Sequence, residues 1–351
     1  MKYKLLGKSG LKVSELALGA MTFATEERGG PGKVESSKVY NAFREAGGNF
    51  IDTANIYADG MSEEYLGEFI QDERERIVLA SKYNHPVPSS DINAYGSSRK
   101  NMMESVHASL KRLNTDYIDL YWVHYWDFLT PTEEVMRGLD DLITQGKVLY
   151  VGVSDTPAWV VSQANMLADL KGWNQFVGLQ TPYSLIDRTA ERELLPMSRA
   201  LDLAVIPWGV LGSGILSGKY NKNPKSAGRF TNPLAGTIDK RSFAIAQEVI
   251  DVANEIDATP SQVAIAWLLK GPANIVPLIG AKTVSQWEVN SGCLDIELSN
   301  DHMVRLNKIS AIEMGFTTDC MQTAQRANAD RGVIDHRSWR SGGYLPDTSR
   351  Q

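Results

Sequence analysis

The sequence predicts an α/β protein of the (β/α)8 TIM-barrel class, on three observations. Short β-rich apolar runs alternate with helical segments along most of the chain, the count of such runs reaches eight, and every run but the one ending at Trp208 ends in a polar residue or glycine. Alternation this regular favours a closed parallel barrel.

The runs are Glu15–Gly19, Asn49–Asp52, Ile77–Lys82, Tyr117–His124, Val148–Ser154, Phe176–Gln180, Ala204–Trp208 and Asn274–Gly280. Between them the spacing predicts helices over Ser36–Glu45, Ser62–Gln71, Ser98–Arg112, Pro131–Gln145, Pro157–Leu170, Glu191–Ala200, Ser242–Ile256 and Pro260–Leu269. Two starts carry the expected chemistry: in Ser62-Glu63-Glu64 and Thr259-Pro260-Ser261 an oxygen-bearing cap precedes a first-turn acid or proline. Ahead of the first run, Tyr3–Val13 reads as an N-terminal β-hairpin around a glycine-bearing turn, placed to plug one end of the barrel. The barrel is expected over residues 1–315. After Gly315 apolar periodicity fades, and residues 316–351, ending Ser341-Gly342-Gly343-Tyr344-Leu345-Pro346-Asp347, read as an irregular C-terminal tail and not a separate domain.

The bulk numbers narrow the function. In 351 residues, 43% hydrophobic and 22% charged content gives ample material for one large core. A net charge of −6 argues against a nucleic-acid binder, which needs a basic face to displace counterions. Cys293 and Cys320 supply neither a disulfide framework nor metal-ligand spacing, and no zinc or magnesium grouping stands out. With no signal peptide and no long apolar run, the reading is a cytoplasmic protein with no membrane partner.

In barrels of this kind chemistry comes from the carboxyl ends of the strands. Asp52, Lys82 and His124 close three successive runs, and Tyr57 lies five residues beyond Asp52. Taken alone, each is more often structural than catalytic; four titratable groups on one rim reverse that weight. Burying Asp52 and Lys82 costs several kcal/mol unless they pair. A tyrosine hydroxyl titrates near about 10, and a neighbouring ammonium lowers it. Lys82, held by Asp52, is therefore expected to make Tyr57 a stronger acid, with His124 bonding the oxygen that becomes an alcohol. Such a site protonates an alkoxide and takes its hydride from a cofactor.

Taken together with its neighbouring segments, this set of residues gives a sequence that resembles the aldo-keto reductase superfamily. The matching segments are Asn49–Tyr57, Ala80-Ser81-Lys82, Val123–Asp127, Gly152–Asp155, Gln180–Ser184, Pro207–Gly214 and Pro277–Lys282, in family order over residues 3 to 315. Through Gly152–Trp159 it looks similar to the aryl-alcohol-reductase-like and potassium-channel β-subunit-like branches. The resemblance implies an NADPH-dependent carbonyl reductase with Tyr57 as general acid, tuned by Asp52 and Lys82, and His124 orienting substrate. It implies an extended NADP cofactor, which fits the lack of a Rossmann glycine fingerprint. Tyr183 stacks on the nicotinamide in this reading, and Ser154, Asp155 and Gln180 hold its carboxamide, with Gly19, Met21 and Asp52 alongside. Trp208, Gly209, Val210, Leu211, Gly212 and Gly214 lie over the pyrophosphate with Lys219 near them. Gly280, Lys282, Gln286 and Asn290 take the adenosine end, Lys282 meeting a 2′-phosphate.

Two departures from the family pattern stand out. Val289 occupies a place where related enzymes carry glutamate, and the segment around Met21 lacks a tryptophan found in many members. Met21, Phe23, Tyr125, Trp126 and Trp208 make an aromatic, apolar wall, suited to a bulky aryl or alicyclic carbonyl; Asp127 beside it equally suits a hydroxylated substrate. Partners are thus a small carbonyl or alcohol, with oligomeric state left open. Two other classes compete: a redox-sensing subunit that binds NADPH with little turnover, and an isomerase or lyase that uses no nicotinamide.

Overall fold

The computed structural model describes residues 1–85, 91–223 and 238–331, so the end of the tail from Ser341 lies outside the described residues. Its strands are β1 (Tyr3–Leu5), β2 (Lys12–Ser14), β3 (Ala17–Gly19), β4 (Phe50–Asp52), β5 (Val78–Tyr83), β6 (Ile118–Val123), β7 (Val148–Ser154), β8 (Phe176–Pro182), β9 (Ala204–Trp208), β10 (Asn274–Ile275) and β11 (Leu278–Gly280). The helices are α1 (Lys33–Glu45), α2 (Met61–Phe69), α3 (Arg99–Leu113), α4 (Thr132–Thr144), α5 (Ala158–Lys171), α6 (Leu194–Ala200), α7 (Lys219–Lys222), α8 (Lys240–Glu255), α9 (Pro260–Leu269), α10 (Val284–Ser291), α11 (Asn300–Ile309) and α12 (Phe316–Asp330). From β3 onward strand and helix alternate in the order of a (β/α)8 barrel.

Two compact units make up the chain: Met1–Gln180 with Leu278–Glu288, and Thr181–Pro277 with Val289–Gln351. In the first, β11, β3, β4, β5, β6, β7 and β8 lie side by side, every pair parallel. The hairpin β1–β2 is antiparallel, as expected. In the second, β9 pairs in parallel with β10. The eighth expected strand is therefore two short pieces around Val276-Pro277, because proline has no N–H to give a ladder. No helix among the described residues is long and apolar enough to cross a membrane.

Strands β5 and β6 are buried at every position, which is what parallel strands covered on both faces require. Their side chains are packed to contact. Gly152 in β7 stands opposite Trp122 in β6, and a Cβ there would fall 2.3 Å from the indole ring. The glycine thus makes room for the tryptophan.

Helix starts follow local chemistry, with one correction. Thr259 caps α9 through a capping box with Gln262, and Pro260 follows in the first turn. Ser62, expected as a cap, lies inside α2. The entry is made instead by Gly60 in a left-handed conformation, φ 95. The Ser62 hydroxyl is buried beneath the strands, donating to the Ala20 carbonyl at 2.8 Å and lying 2.7 Å from Thr53 Oγ1. The tail also differs from expectation: it opens with α12. Gly315, φ 92, breaks the chain after α11, and the following stretch holds Met, Gln, Ala and Arg without glycine or proline, enough for helix without a periodic apolar face.

Gly152→Ala should destabilise the protein by about 1–3 kcal/mol through overpacking against Trp122. Gly10→Ala, where a Cβ meets nothing within 4 Å, is the control. Urea unfolding of the two variants against the parent checks this, and equal midpoints would refute the packing argument.

Candidate active site

Parallel pairing sets Asp52 opposite Ala80, two residues before Lys82 on β5. Asp52 closes β4, Lys82 stands one place before the end of β5, and His124 follows β6, its amide bonded to the Tyr83 carbonyl at 3.1 Å. The three expected strand-end groups thus sit on adjacent strands. Tyr57 enters from the loop after β4, in a turn whose next residues, Ala58, Asp59 and Gly60, all have left-handed backbone (φ 50, 56 and 95).

The ammonium of Lys82 is fully buried and its three N–H bonds are all placed: to Asp52 Oδ2, to the Thr53 carbonyl at 2.7 Å, and to the Tyr57 hydroxyl at 3.0 Å. The other carboxylate oxygen of Asp52 accepts from Gln180 Nε2 at 2.9 Å. Gln180–Asp52–Lys82–Tyr57 is therefore one hydrogen-bonded line. The His124 ring meets that of Tyr57 edge-on, centroids 5.9 Å apart, and that of His85 at 5.2 Å.

Burial shapes the proton affinities. Desolvation alone would lower Lys82, but the charge of Asp52 and the bond to Tyr57 outweigh it, so the lysine stays an ammonium. Burial likewise raises the Tyr57 phenol above its ordinary value, and Lys82 only partly offsets that. The expected direction of the lysine's own influence is right, yet the net shift is upward, because the hydroxyl leaves water before it meets the ammonium. Tyr57 is a neutral, proton-bearing acid. Desolvation, reinforced by Lys82 and His85, pulls His124 down to about 2, so it is a neutral imidazole.

Other residues singled out by the sequence fare differently. Met21 is exposed and Tyr125 half-buried, whereas Phe23 is fully buried and packs against Phe69 at 6.2 Å. Trp126 is also largely buried. The Asp127 carboxylate is taken up by its own surroundings, accepting from the amides of Ser97 (2.6 Å), Leu129 (3.0 Å) and Thr130 (3.0 Å) and the Thr130 hydroxyl (2.9 Å). It organises a loop, and the expected bond to a hydroxylated substrate has no oxygen left for it.

Ser154 is buried at the end of β7, and the Asp155 amide bonds the Gln180 carbonyl at 3.1 Å. Gly19 and Gly280 pair across β3 and β11. The Lys282 ammonium donates to the Gly29 carbonyl at 2.7 Å, while its amide bonds Gln286 Oε1 at 2.8 Å. In the second unit Tyr183 is buried, its hydroxyl donating to Glu191 at 2.7 Å and its ring 5.4 Å from Trp267. Trp208 is exposed, Val210 buried, and Gly209, Gly212, Ser213 and Gly214 have left-handed backbone after it, with Leu211 between; Lys219 lies over the Tyr220 ring at 4.8 Å. Asn290 is buried.

Sequence reasoning missed the Thr53 carbonyl, the bond from Gln180 to Asp52, and Asn84, which is buried and bonds Ser97 Oγ and the Tyr125 carbonyl at 2.7 and 2.5 Å. Asn84-His85, directly after the end of β5 and two residues past Lys82, was a usable signal. A backbone carbonyl gives none.

Lys82→Met leaves the Asp52 carboxylate buried without its partner, and should cost about 3–5 kcal/mol in urea unfolding. His124 binds no proton when folded but takes one below about 6.5 when unfolded, so stability falls as pH drops from there towards about 2. Between pH 7 and 5 its share of that loss is about 2 kcal/mol. His124→Gln should remove it; an unchanged slope would show that the imidazole titrates in the folded state.

Comparison with known proteins agrees with the geometry. The model of the Aldo/keto reductase family matches residues 15–311. An NADP-dependent aryl-alcohol dehydrogenase of Phanerodontia chrysosporium is 38% identical over 328 residues, covering 88% of this chain and 85% of that protein. An aryl-alcohol dehydrogenase of Pestalotiopsis microspora is 35% identical (90% and 84% covered), and a norsolorinic acid reductase of Emericella nidulans 37% (88% and 81%). The chain belongs to the aldo/keto reductase family.

Proposed function

We propose that this chain reduces aldehydes and ketones to alcohols with NADPH, reversibly, and that Tyr57 delivers the proton. The observation that carries this reading is the buried line in which Lys82 Nζ stands 3.0 Å from the Tyr57 hydroxyl with Asp52 behind it. Bound NADPH supplies the hydride to the carbonyl carbon.

The residues present suit such a cofactor. A Cβ on Gly209 would meet nothing within 4 Å, so bare backbone faces open space at the start of a left-handed, glycine-rich turn. In the first unit, Lys282, two residues ahead of α10, offers a cation to a phosphate. From the resemblance we assign, in the first unit, the carboxamide to Ser154, Asp155 and Gln180 and the adenosine end to Gly280, Lys282 and Gln286, and, in the second, the ring face to Tyr183, the pyrophosphate to Trp208–Gly214 and Lys219, and the adenine to Asn290. Gly19 and Met21 complete the set.

The chain's own residues then act in sequence. The neutral His124 donates to the carbonyl oxygen and sets its angle; a neutral imidazole polarises without giving up a proton. Tyr57 transfers its proton to that oxygen as negative charge builds, and the fixed ammonium of Lys82 stabilises the phenolate left behind. Asp52 and Gln180 keep that ammonium in place. Substrate contacts are Tyr57, His124 and Tyr125, with the edge of Trp126. With Asp127 committed to its loop, an aryl carbonyl is the substrate class we favour, in keeping with the aryl-alcohol names of the relatives. Neither Cys293 nor Cys320 is disulfide-bonded, and we place the enzyme in the cytoplasm. Residues 1–315 form the catalytic domain in this reading, and 316–351 its tail.

Tyr57→Phe should lower aryl-aldehyde reduction by about 10²–10⁴-fold while tryptophan quenching by NADPH stays as in the parent. Retained turnover would overturn the assignment. Because Tyr57 holds its proton beyond the ordinary tyrosine range, reduction should be flat to alkaline pH, and alcohol oxidation, which needs the phenolate, should rise there. Initial rates in both directions across pH test this.

A further inference from the structure

Residues 25–32, Thr25-Glu26-Glu27-Arg28-Gly29-Gly30-Pro31-Gly32, link β3 to α1 in one tight piece. One 3-10 turn, Glu26–Arg28, is closed by Gly29 at φ 76. The Gly30 and Gly32 amides bond back to the Thr25 and Ala24 carbonyls, each at 2.9 Å, and a Cβ on Gly30 would fall 2.2 Å from the Ala24 oxygen. The segment is compact, so a displacement of Gly29 is felt at its neighbour Arg28.

Two adjacent residues of the segment, Arg28 and Gly29, have long-range polar partners in the same unit. The Gly29 carbonyl accepts from Lys282 Nζ at 2.7 Å, the lysine assigned above to a 2′-phosphate. The neighbouring Arg28 forms an ion pair with Asp59. Asp59 lies two residues after Tyr57, in the left-handed run Ala58–Gly60. Ala58 and Asp59 carry side chains, and such residues rarely adopt that backbone, so the run needs holding from outside. An exposed ion pair holds it weakly and adjustably. A phosphate dianion adds a charge–charge attraction that the neutral Gly29 carbonyl cannot offer an ammonium, so it would draw Lys282 from Gly29.

We propose that occupation of Lys282 by a 2′-phosphate is transmitted through residues 25–30 and the Arg28–Asp59 pair to the turn that carries Tyr57. Arg28 is thereby a positioning residue, and the preference for NADP is written into turnover as well as into binding. The inference rests on the cofactor assignment above.

The first test is hydrogen exchange of the full chain with adenosine 2′-monophosphate, against adenosine 5′-monophosphate as control. The expected result is altered exchange at 281–287, at 25–32 and at 57–61 with the 2′-phosphate alone. Change at 281–287 without change in the other two segments defeats the transmission and leaves the cofactor assignment standing; no change anywhere defeats both. The second is Arg28→Gln, which should lower the ratio of kcat with NADPH to kcat with NADH by about threefold, the scale of an exposed ion pair, with KM for NADPH unmoved. Arg28→Lys should restore most of the ratio. A ratio equal to the parent's in Arg28→Gln overturns the role of Arg28.

Discussion

The Asp52–Lys82 ion pair is the constraint around which the first unit is arranged. Taking two charges out of water costs several kcal/mol for each, and their attraction offsets this only if every remaining donor and acceptor is satisfied. Here Thr53, Tyr57 and Gln180 satisfy them. Each comes from a defined place: the chain just past β4, the loop after it, and a strand reached 128 residues later. The register of β5 must also be right, since a slip of one residue would turn Lys82 to the opposite face. Ser81, facing that other way, bonds the buried Glu63 of α2, and Glu63 is paired with Arg112 of α3. The strand is thus fastened from behind at the residue beside its functional lysine.

This explains why the tetrad was legible in sequence and much of its setting was not. Strand-end polar residues on apolar runs are conspicuous, since burial makes them expensive, and Asp52, Lys82 and His124 each stand out on that ground. The proline at 277 likewise marked where the eighth strand would break, although the run Asn274–Gly280 read as continuous. The Thr53 carbonyl could not be read, because a backbone acceptor carries no residue identity. Gln180 was assigned to the carboxamide from resemblance; its bond to Asp52 depends on strands far apart in sequence meeting in register. Ser62 misled because a serine before two acids has the composition of a cap, whereas Gly60 two places earlier had already turned the chain.

Phe23 and Asp127 show a second limit, that of reading chemistry from residue type alone. Both lie a few residues past strand ends, where a wall or a specificity group belongs. Phe23 instead fills the space against Phe69. Asp127 collects backbone amides around Phe128, itself held at φ 55, so its charge is consumed in stabilising a loop conformation that the chain would not otherwise favour. With that carboxylate spent, polarity in this part of the rim falls to Tyr57, His124 and Tyr125.

The contest at Tyr57 decides the direction in which the site is poised. An exposed tyrosine beside a lysine would be a stronger acid than usual, as the sequence suggested. Burying both reverses the balance: the phenolate loses its hydration, while the lysine's charge is already shared with Asp52 and with the Thr53 carbonyl. The ammonium therefore gives its full benefit only when the proton has left and charge appears on the Tyr57 oxygen. In the role proposed for Tyr57, that is a property of the transition state more than of the resting protein, and a group stabilised late in this way delivers its proton without being deprotonated beforehand. A neutral His124 fits the same logic, since a charged imidazole, its ring centroid 5.9 Å from that of the phenol, would stabilise the phenolate and favour loss of the proton beforehand.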